Sequence, residues 1–427
     1  MSQIRYRYLI FIILGTAYVL VFFHRMAPAV VAVDMMTDLK TSGALMGVLA
    51  SAYFYPYGLM QIPAGLLSDS WGPRRSIVLF FVFGAAGSIL LGLSQTITLA
   101  IAARVLVGLG VAMVFIPTLK ILTHWFESDQ FSRMSGLLMS LGGIGAFAAS
   151  TPLALLSDAI TWRGSMIVIG LLTLFVAWLV WMIVRDRPEE AGFDPLHHCE
   201  EQECAKIKIG MLAGIWLVIR SWRFWPTALC SFFGALVSLS INGLWGGPFL
   251  MHVHGLTRTQ AGGVLSMMAV GLIIGSPFMS WLSNRVLYSR KKVLVLSQIC
   301  AFGTFLPMAF FTGRFPLPLL YLWFFFFSFF LSSMVVVGYS AIKDSFPLQI
   351  SGTATGILNI FPFAGAALGQ PLIGWYLDRI GPHGGPYTVE AYSSVFKVCL
   401  LSLAITICAG LAVKETHPKK RGAHGGE

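Results

Sequence analysis

A guanidinium set deep in an apolar run is the group in this chain best placed to do chemistry. Arg25 lies in Phe22-Phe-His24-Arg25-Met-Ala-Pro28, past the middle of a long apolar segment. A charge at the centre of a membrane helix costs about 2.5–3.5 kcal/mol on the insertion scale, so such a residue is a functional candidate by default. Its planar fork pairs bidentately with a carboxylate or phosphate, and Pro28 close behind loosens the helix beside it. A latch onto backbone carbonyls or a neighbouring helix is the alternative role. His24 is the one deep group that titrates near neutral pH, although adjacent residues point about 100° apart on a helix. Tyr53, Tyr57 and Gln61 recur at intervals of four and share a helix face. Rings with polar tips either line a cavity and orient a small ligand there or pack between helices. Asn242, Trp245, Tyr339, Asn359 and Gln370 are the candidates from the second half.

Membrane helices must position these side chains. Of the 427 residues, 56% are hydrophobic and only 11% charged, and mean hydropathy is +0.78; soluble domains have about 25% charged residues, so most of this chain is solvated by lipid. Apolar segments of the roughly 20 residues that cross a bilayer core fall near 8–33, 43–67, 76–94, 98–122, 132–155, 164–184, 223–250, 259–284, 292–312, 318–342, 351–377 and 391–413. The expected fold is an all-α integral membrane protein of twelve transmembrane helices in two pseudo-symmetric six-helix bundles. Residues 1–184 form the first bundle, 185–222 a polar connector, 223–413 the second bundle and 414–427 a tail.

Short cytoplasmic loops retain Lys and Arg. With both termini inside, 20 of the 29 basic residues fall on the cytoplasmic side and six on the other. That bias accounts for most of the +11 net charge, so anionic lipid head groups rather than nucleic acid are the partner it implies. No cleavable signal is evident, since the first apolar run is long and lacks a small-residue cleavage site. Six scattered cysteines form no disulfide framework.

The halves repeat weakly. At an offset near 220, Gly136-Leu-Leu-Met-Ser-Leu-Gly-Gly-Ile-Gly-Ala falls on Gly356-Ile-Leu-Asn-Ile-Phe-Pro-Phe-Ala-Gly-Ala and Asp158 on Asp378; at 217, Arg74-Arg75 falls on Lys291-Lys292 and Arg25 on Asn242. Such a repeat implies two related bundles with a substrate site between them near the midplane. Small residues at Gly108, Gly110, Gly142, Ala146, Gly271, Gly275, Gly365 and Gly369 allow close helix approach.

Between the second and third apolar segments lies Gly65-Leu-Leu-Ser-Asp69-Ser-Trp-Gly72-Pro-Arg74-Arg75, and the fourth contains Arg104-Val-Leu-Val-Gly108-Leu-Gly110. These match the loop pattern G-x-x-x-D-x-x-G-x-R-R and the pattern R-x-x-x-G-x-G of the major facilitator superfamily of secondary transporters. With the six-plus-six layout, the chain resembles that superfamily over essentially its whole length. It looks like a relative of the organophosphate and anion:cation symporter branches, where an Arg at a similar place in span one holds the anionic substrate. The resemblance thus implies transport of a small organic anion by alternating access, in a bacterial inner membrane, by a monomer.

One departure from the pattern bears on the substrate. The organophosphate branch has a second Arg in span seven, whereas Ser238-Leu-Ser-Ile-Asn242-Gly-Leu-Trp245 contains no base. One Arg plus an amide suits a monocarboxylate or a zwitterion better than a doubly charged phosphate. The resemblance also gives Arg104 a part in shaping the site or relaying protons, beside a purely structural role. It makes Asp69 an acceptor at a helix N-terminus and the partner of a base, with Arg74 and Arg75 holding the inner face. Lys120 and Lys343, near helix ends, are gate or orientation charges that snorkel to the interface. The matching loop Asn284-Arg285-Val-Leu-Tyr-Ser-Arg290-Lys-Lys292 lacks the acid, so a weaker latch is expected there.

No Asp or Glu is placed at midplane to carry a proton, which leaves proton symport through His24, uniport and anion exchange open. His197, His198, Cys199 and Cys204 are types that bind zinc, but the cysteine spacing is unusual and acids crowd the segment, so neither a metal nor a cofactor is expected. No G-K-[ST] loop supports ATP drive, and no paired carboxylates or Ser/His/Asp set lies at membrane depth, which argues against an enzyme. Efflux of drugs or metabolites is the nearest alternative, although span five reads Gly142-Gly-Ile-Gly145 without the G-P motif of drug antiporters. A transporter-like sensor that binds without flux is a further one.

Overall fold

In hydrocarbon every backbone N–H and C=O must find its partner inside the chain, which favours helix throughout. The computed structural model describes residues 2–194, 211–381 and 386–416; His197, His198, Cys199 and Cys204 lie outside the described residues. The first half contains α1 (Gln3–Met26), α2 (Pro28–Asp38), α3 (Gly43–Ser51), α4 (Phe54–Leu59), α5 (Gln61–Ser70), α6 (Pro73–Leu93), α7 (Ile97–Ala112), α8 (Phe115–Trp125), α9 (Ser128–Ala148) and α10 (Thr151–Ile183). The second contains α11 (Met211–Arg220), α12 (Trp225–Ser240), α13 (Gly246–His254), α14 (Arg258–Trp281), α15 (Arg290–Phe310), α16 (Leu317–Ser333), α17 (Tyr339–Ser345), α18 (Leu348–Ile380) and α19 (Val389–Ala412).

Among the described residues, ten helical stretches are long and apolar enough to cross a membrane. Two further crossings escape that number. Arg133–Ile183 counts once, yet its backbone leaves the helix at Ile160 and Thr161, where φ is +67° at Thr161. The second apolar segment is cut into α3, α4 and α5, each too short to count alone. Pro56 and Pro63 explain the cuts, because a proline ring clashes with the carbonyl four residues earlier and offers it no N–H.

The chain divides into two compact units, Met1–Thr41 with Val48–Ala205 and Ser42–Gly47 with Lys206–Glu427. The short segment joins the second unit through its backbone. Gly43 and Ala44 amides donate to the Asp378 carboxylate at 2.8 and 2.7 Å, and Tyr387 Oη donates to it at 2.5 Å. That bond and burial together raise the Tyr387 hydroxyl above its usual range, burial being the larger effect.

Two glycines of the first unit set the distances that matter for its polar centre. A Cβ on Gly108 of α7 would stand 2.2 Å from the Tyr53 carbonyl, and one on Gly145 of α9 would stand 2.2 Å from the Val19 carbonyl. The bare backbone therefore lets α7 approach the start of α4, and α9 approach α1, closely. In the second unit a Cβ on Gly365, 220 residues after Gly145, would stand 2.2 Å from the Phe232 carbonyl. The repeat thus places a glycine at the corresponding helix crossing of each unit. We expect Gly108→Ala to destabilise by about 1–3 kcal/mol, since backbone rather than a flexible side chain must yield. Gly136→Ala, which meets open space, should be neutral or stabilising by up to about 1 kcal/mol. Thermal unfolding of the purified variants in detergent checks both, and equal losses would show that the crossing tolerates a side chain.

Candidate functional site

The polar centre of the first unit begins with a missing amide. In α1 the carbonyl of His24 would bond the N–H of residue 28, but that residue is proline and has none. Arg104, projecting from α7, supplies the donor instead: its Nη1 reaches His24 O at 2.8 Å, and its guanidinium lies 5.2 Å from the centre of the Tyr53 ring. Arg104 is buried, and its Nε and Nη2 have no hydrogen-bond partner among the described residues.

Arg25 is buried a turn before the same proline. Its guanidinium carbon lies 4.5 Å from the Phe22 ring centre, 4.8 Å from Tyr57 and 5.9 Å from Tyr53. Tyr53 also takes a side-chain hydrogen bond with Arg25, and its own hydroxyl donates to Val21 O at 3.4 Å. The rings of Tyr53 and Tyr57 stack at 5.5 Å with 16° between their planes. Three aromatic faces thus wall one cation, an arrangement worth about 2 kcal/mol or more when water is excluded. Gln61, one turn on, donates to Tyr57 O at 3.1 Å and extends the same face. Arg25, Tyr53 and Tyr57 therefore come together in one cluster.

His24 turns the other way. Its Nε2 lies 3.1 Å from Thr173 Oγ1 on α10. That hydroxyl donates to Ile169 O at 2.7 Å, so the imidazole is left to donate at Nε2.

The hinge charges sort into two sets. Lys120 bonds Asp69 at 2.6 Å and Ser68 O at 2.9 Å; the pair is largely exposed, so its net worth is about 0–1 kcal/mol. The N-terminus of α6 is held by Asp186 instead, which accepts from Arg74 N at 2.7 Å. Burial pushes the Asp186 carboxyl up, and the Arg74 amide acts against it. Gly72, at φ +95°, makes room: a Cβ there would stand 2.7 Å from the Asp186 carboxylate. The Arg74 guanidinium donates to Trp181 O and covers the Trp181 ring at 4.5 Å. Arg75 and Lys343 are exposed.

In the second unit the loop before α15 lacks an acid of its own, and two come from other elements. Arg290 bonds Asp344 of α17 at 3.3 Å and Asn284 Oδ1 at 2.6 Å, while Glu415 accepts from Arg290 N at 2.9 Å. The loop alone does not name these acceptors.

Polar residues of the second unit sit beside irregular helix. Asn242 and Trp245 lie in a π-turn, Ile241–Trp245, that joins α12 to α13, and a second one, Met334–Gly338, leads into Tyr339. Such turns concentrate at functional positions. Tyr339 Oη donates to Asn359 Oδ1 at 2.5 Å. Trp245, fully buried, donates to Gln370 O at 2.9 Å, and Gln370 Nε2 reaches Leu239 O at 3.1 Å. Trp245 and Gln370 thus tie α18 to the chain around the π-turn.

Sequence reasoning overlooked Phe22, Thr173 and Asp186. Phe22 stands three residues before Arg25, so helical spacing gives it the same face; nothing in sequence pairs His24 with Thr173. The role of the freed carbonyl yields a test. Arg104→Gln should destabilise by about 1–3 kcal/mol, the cost of a buried acceptor losing its partner. In the Pro28→Ala background, where an amide returns to His24 O, the same substitution should cost less. Equal losses in the two backgrounds, measured by thermal unfolding, would remove the carbonyl from the account.

The profile described as Major Facilitator Superfamily matches residues 14–246 and 227–427. A probable hexose phosphate transport protein of Chlamydia trachomatis serovar D is 22% identical over 408 residues, 90% of this chain and 88% of that protein. A probable sulfoacetate transporter, SauU, of Cupriavidus necator is 22% identical, covering 91% of each chain. Among solved structures, a bacterial homolog of the human lysosomal transporter Spinster, inward-facing and unoccupied, superposes with a TM-score of 0.75 at 18% identity, covering 95% of this chain and 96% of that one. The chain belongs to the Major Facilitator Superfamily and is a multi-pass membrane transporter rather than an enzyme.

Proposed function

We propose that this protein moves a small organic anion, a metabolite bearing a carboxylate, across the membrane by alternating access. The observation that carries the reading is the Arg25 guanidinium, buried and walled by Phe22, Tyr53 and Tyr57. Such a cation binds a carboxylate through its edge while its faces stay covered. Arg104, with two guanidinium nitrogens lacking a hydrogen-bond partner among the described residues, adds positive potential beside it. Gln61, Asn242, Trp245, Asn359 and Tyr339 are further candidates for substrate contact. Relatives described as hexose phosphate and sulfoacetate carriers support an anion; the absence of a base near Asn242 favours a singly charged one. Asp69 with Lys120, Arg74, Arg75 and Lys343 serve as gate charges. The protein works as a monomer, two six-helix bundles at 1–184 and 223–413 in the inner membrane, with both termini cytoplasmic.

Ligand-induced thermal stabilisation against monocarboxylates, dicarboxylates, amino acids, sugar phosphates and lipophilic cations, paired with uptake into proteoliposomes, tests this reading. A monocarboxylate should stabilise the wild type and be transported. Arg25→Gln should weaken its binding roughly tenfold to a hundredfold, the loss of about 1.5–3 kcal/mol for a hydrogen bond to a charged group. Arg25→Lys should recover little, since an ammonium neither stacks nor forks. Stabilisation by cations alone, or an anion effect that survives Arg25→Gln, would move efflux ahead; binding without uptake would mark a sensor.

Proton coupling through His24 and Arg104 belongs to the same proposal. It requires uptake to accelerate with an inward proton gradient and to lose that acceleration in His24→Gln. Uptake indifferent to both leaves uniport or exchange.

A further inference from the structure

The helix before the second bundle is apolar almost all the way round. α11 reads Met211-Leu-Ala-Gly-Ile-Trp-Leu-Val-Ile-Arg220, and the turn Ser221-Trp-Arg-Phe224 leads to α12. Its inner side is occupied: Val218 is fully buried and packs with Ile215 against Ile350, Ile357 and Leu358 of α18. Trp225 Nε1 donates to Ile219 O at 2.9 Å, which fixes the end of α11 to the start of α12. The outer side has no such cover among the described residues. Trp216 is 64% exposed, Leu217 50% and, past the helix end, Trp222 72%; Arg220 and Arg223 are exposed beside them. Trp216 and Arg220 stand one turn apart, opposite Val218.

Ten residues are about 15 Å of helix, too short to cross a bilayer, and α11 directly precedes a membrane-spanning stretch, Trp225–His254. Indole rings and guanidinium groups with apolar neighbours suit the head-group boundary, where the ring meets both phases and Arg meets phosphate. Residues 211–225 contain two Arg and no acid, which makes the charge complement of this face anionic. We infer that α11 and the turn after it form an interfacial binding site for an anionic phospholipid. Trp216, Leu217 and Trp222 sit at the acyl boundary, Arg220 and Arg223 bond the head-group phosphate, and the bound lipid holds α11 against α18.

Two measurements test this. In the first, wild-type protein in detergent is titrated with phosphatidylglycerol or phosphatidylcholine and its thermal stability followed. Phosphatidylglycerol should raise the midpoint, and Arg220→Gln with Arg223→Gln should increase the concentration needed by about tenfold or more, given about 1 kcal/mol per basic residue near an anionic surface. The double Lys variant should keep most of the effect. An equal shift in wild type and the Gln pair, or an equal shift with sodium phosphate, overturns the lipid site. In the second, a fluorophore is placed by Leu217→Cys in a variant lacking the native cysteines, reconstituted in vesicles. Brominated lipid should quench it and aqueous iodide should not; the reverse pattern, or protection from both by a connector or partner protein, overturns the proposal.

Discussion

Proline at position 28 removes one amide hydrogen from the first membrane helix, and in hydrocarbon the carbonyl left behind must be satisfied by something other than water. Arg104 satisfies it. To reach His24 O the guanidinium must lie against Tyr53, and Tyr53 is brought there by the bare backbone of Gly108. The same tyrosine borders Arg25. Two buried cations, one engaged with the backbone and one walled by rings, therefore share a tyrosine. The missing amide also separates α1, ending at Met26, from α2, starting at Pro28.

Much of this is written in residue type and interval. Arg25 stands out because charge is rare in apolar runs, and Tyr53 and Tyr57 because four-residue spacing aligns them. The missing amide at Pro28 is equally legible. What sequence does not show is which partner a buried group selects across helices. The spacing of His24 to Thr173, 149 residues apart, obeys no local rule, and the acid at the start of α6 turns out to be Asp186, 112 residues from Arg74. The cuts in the second crossing follow from Pro56 and Pro63, but their effect on its length is visible only once the helices are built.

The two units solve the same loop problem with different charges. In the first, an acid near the end of α5 meets a base of α8, Asp69 with Lys120, and Asp186 takes an amide of α6. In the second, a base at the start of α15 meets a helix acid, Arg290 with Asp344, and Glu415 takes an amide of α15. Each unit thus pairs opposite charges beside this loop, before it in the first and after it in the second, and each sets an acid at the following helix start. A comparison of loop motifs alone registers the lost acid and misses the conserved electrostatics.

The π-turns of the second unit have a mechanical meaning. At Ile241–Trp245 the Gly246 amide bonds a carbonyl five residues back instead of four, so the helix holds one residue more than its α-helical neighbours require. Such a surplus behaves like a dislocation in a crystal. Passing it one place along the chain exchanges one backbone bond and turns the side chain it crosses by about 100°. Asn242 can thereby be re-aimed as one of α12 and α13 gains the residue that the other gives up, a local motion that a straight helix of the same composition could not perform without unwinding.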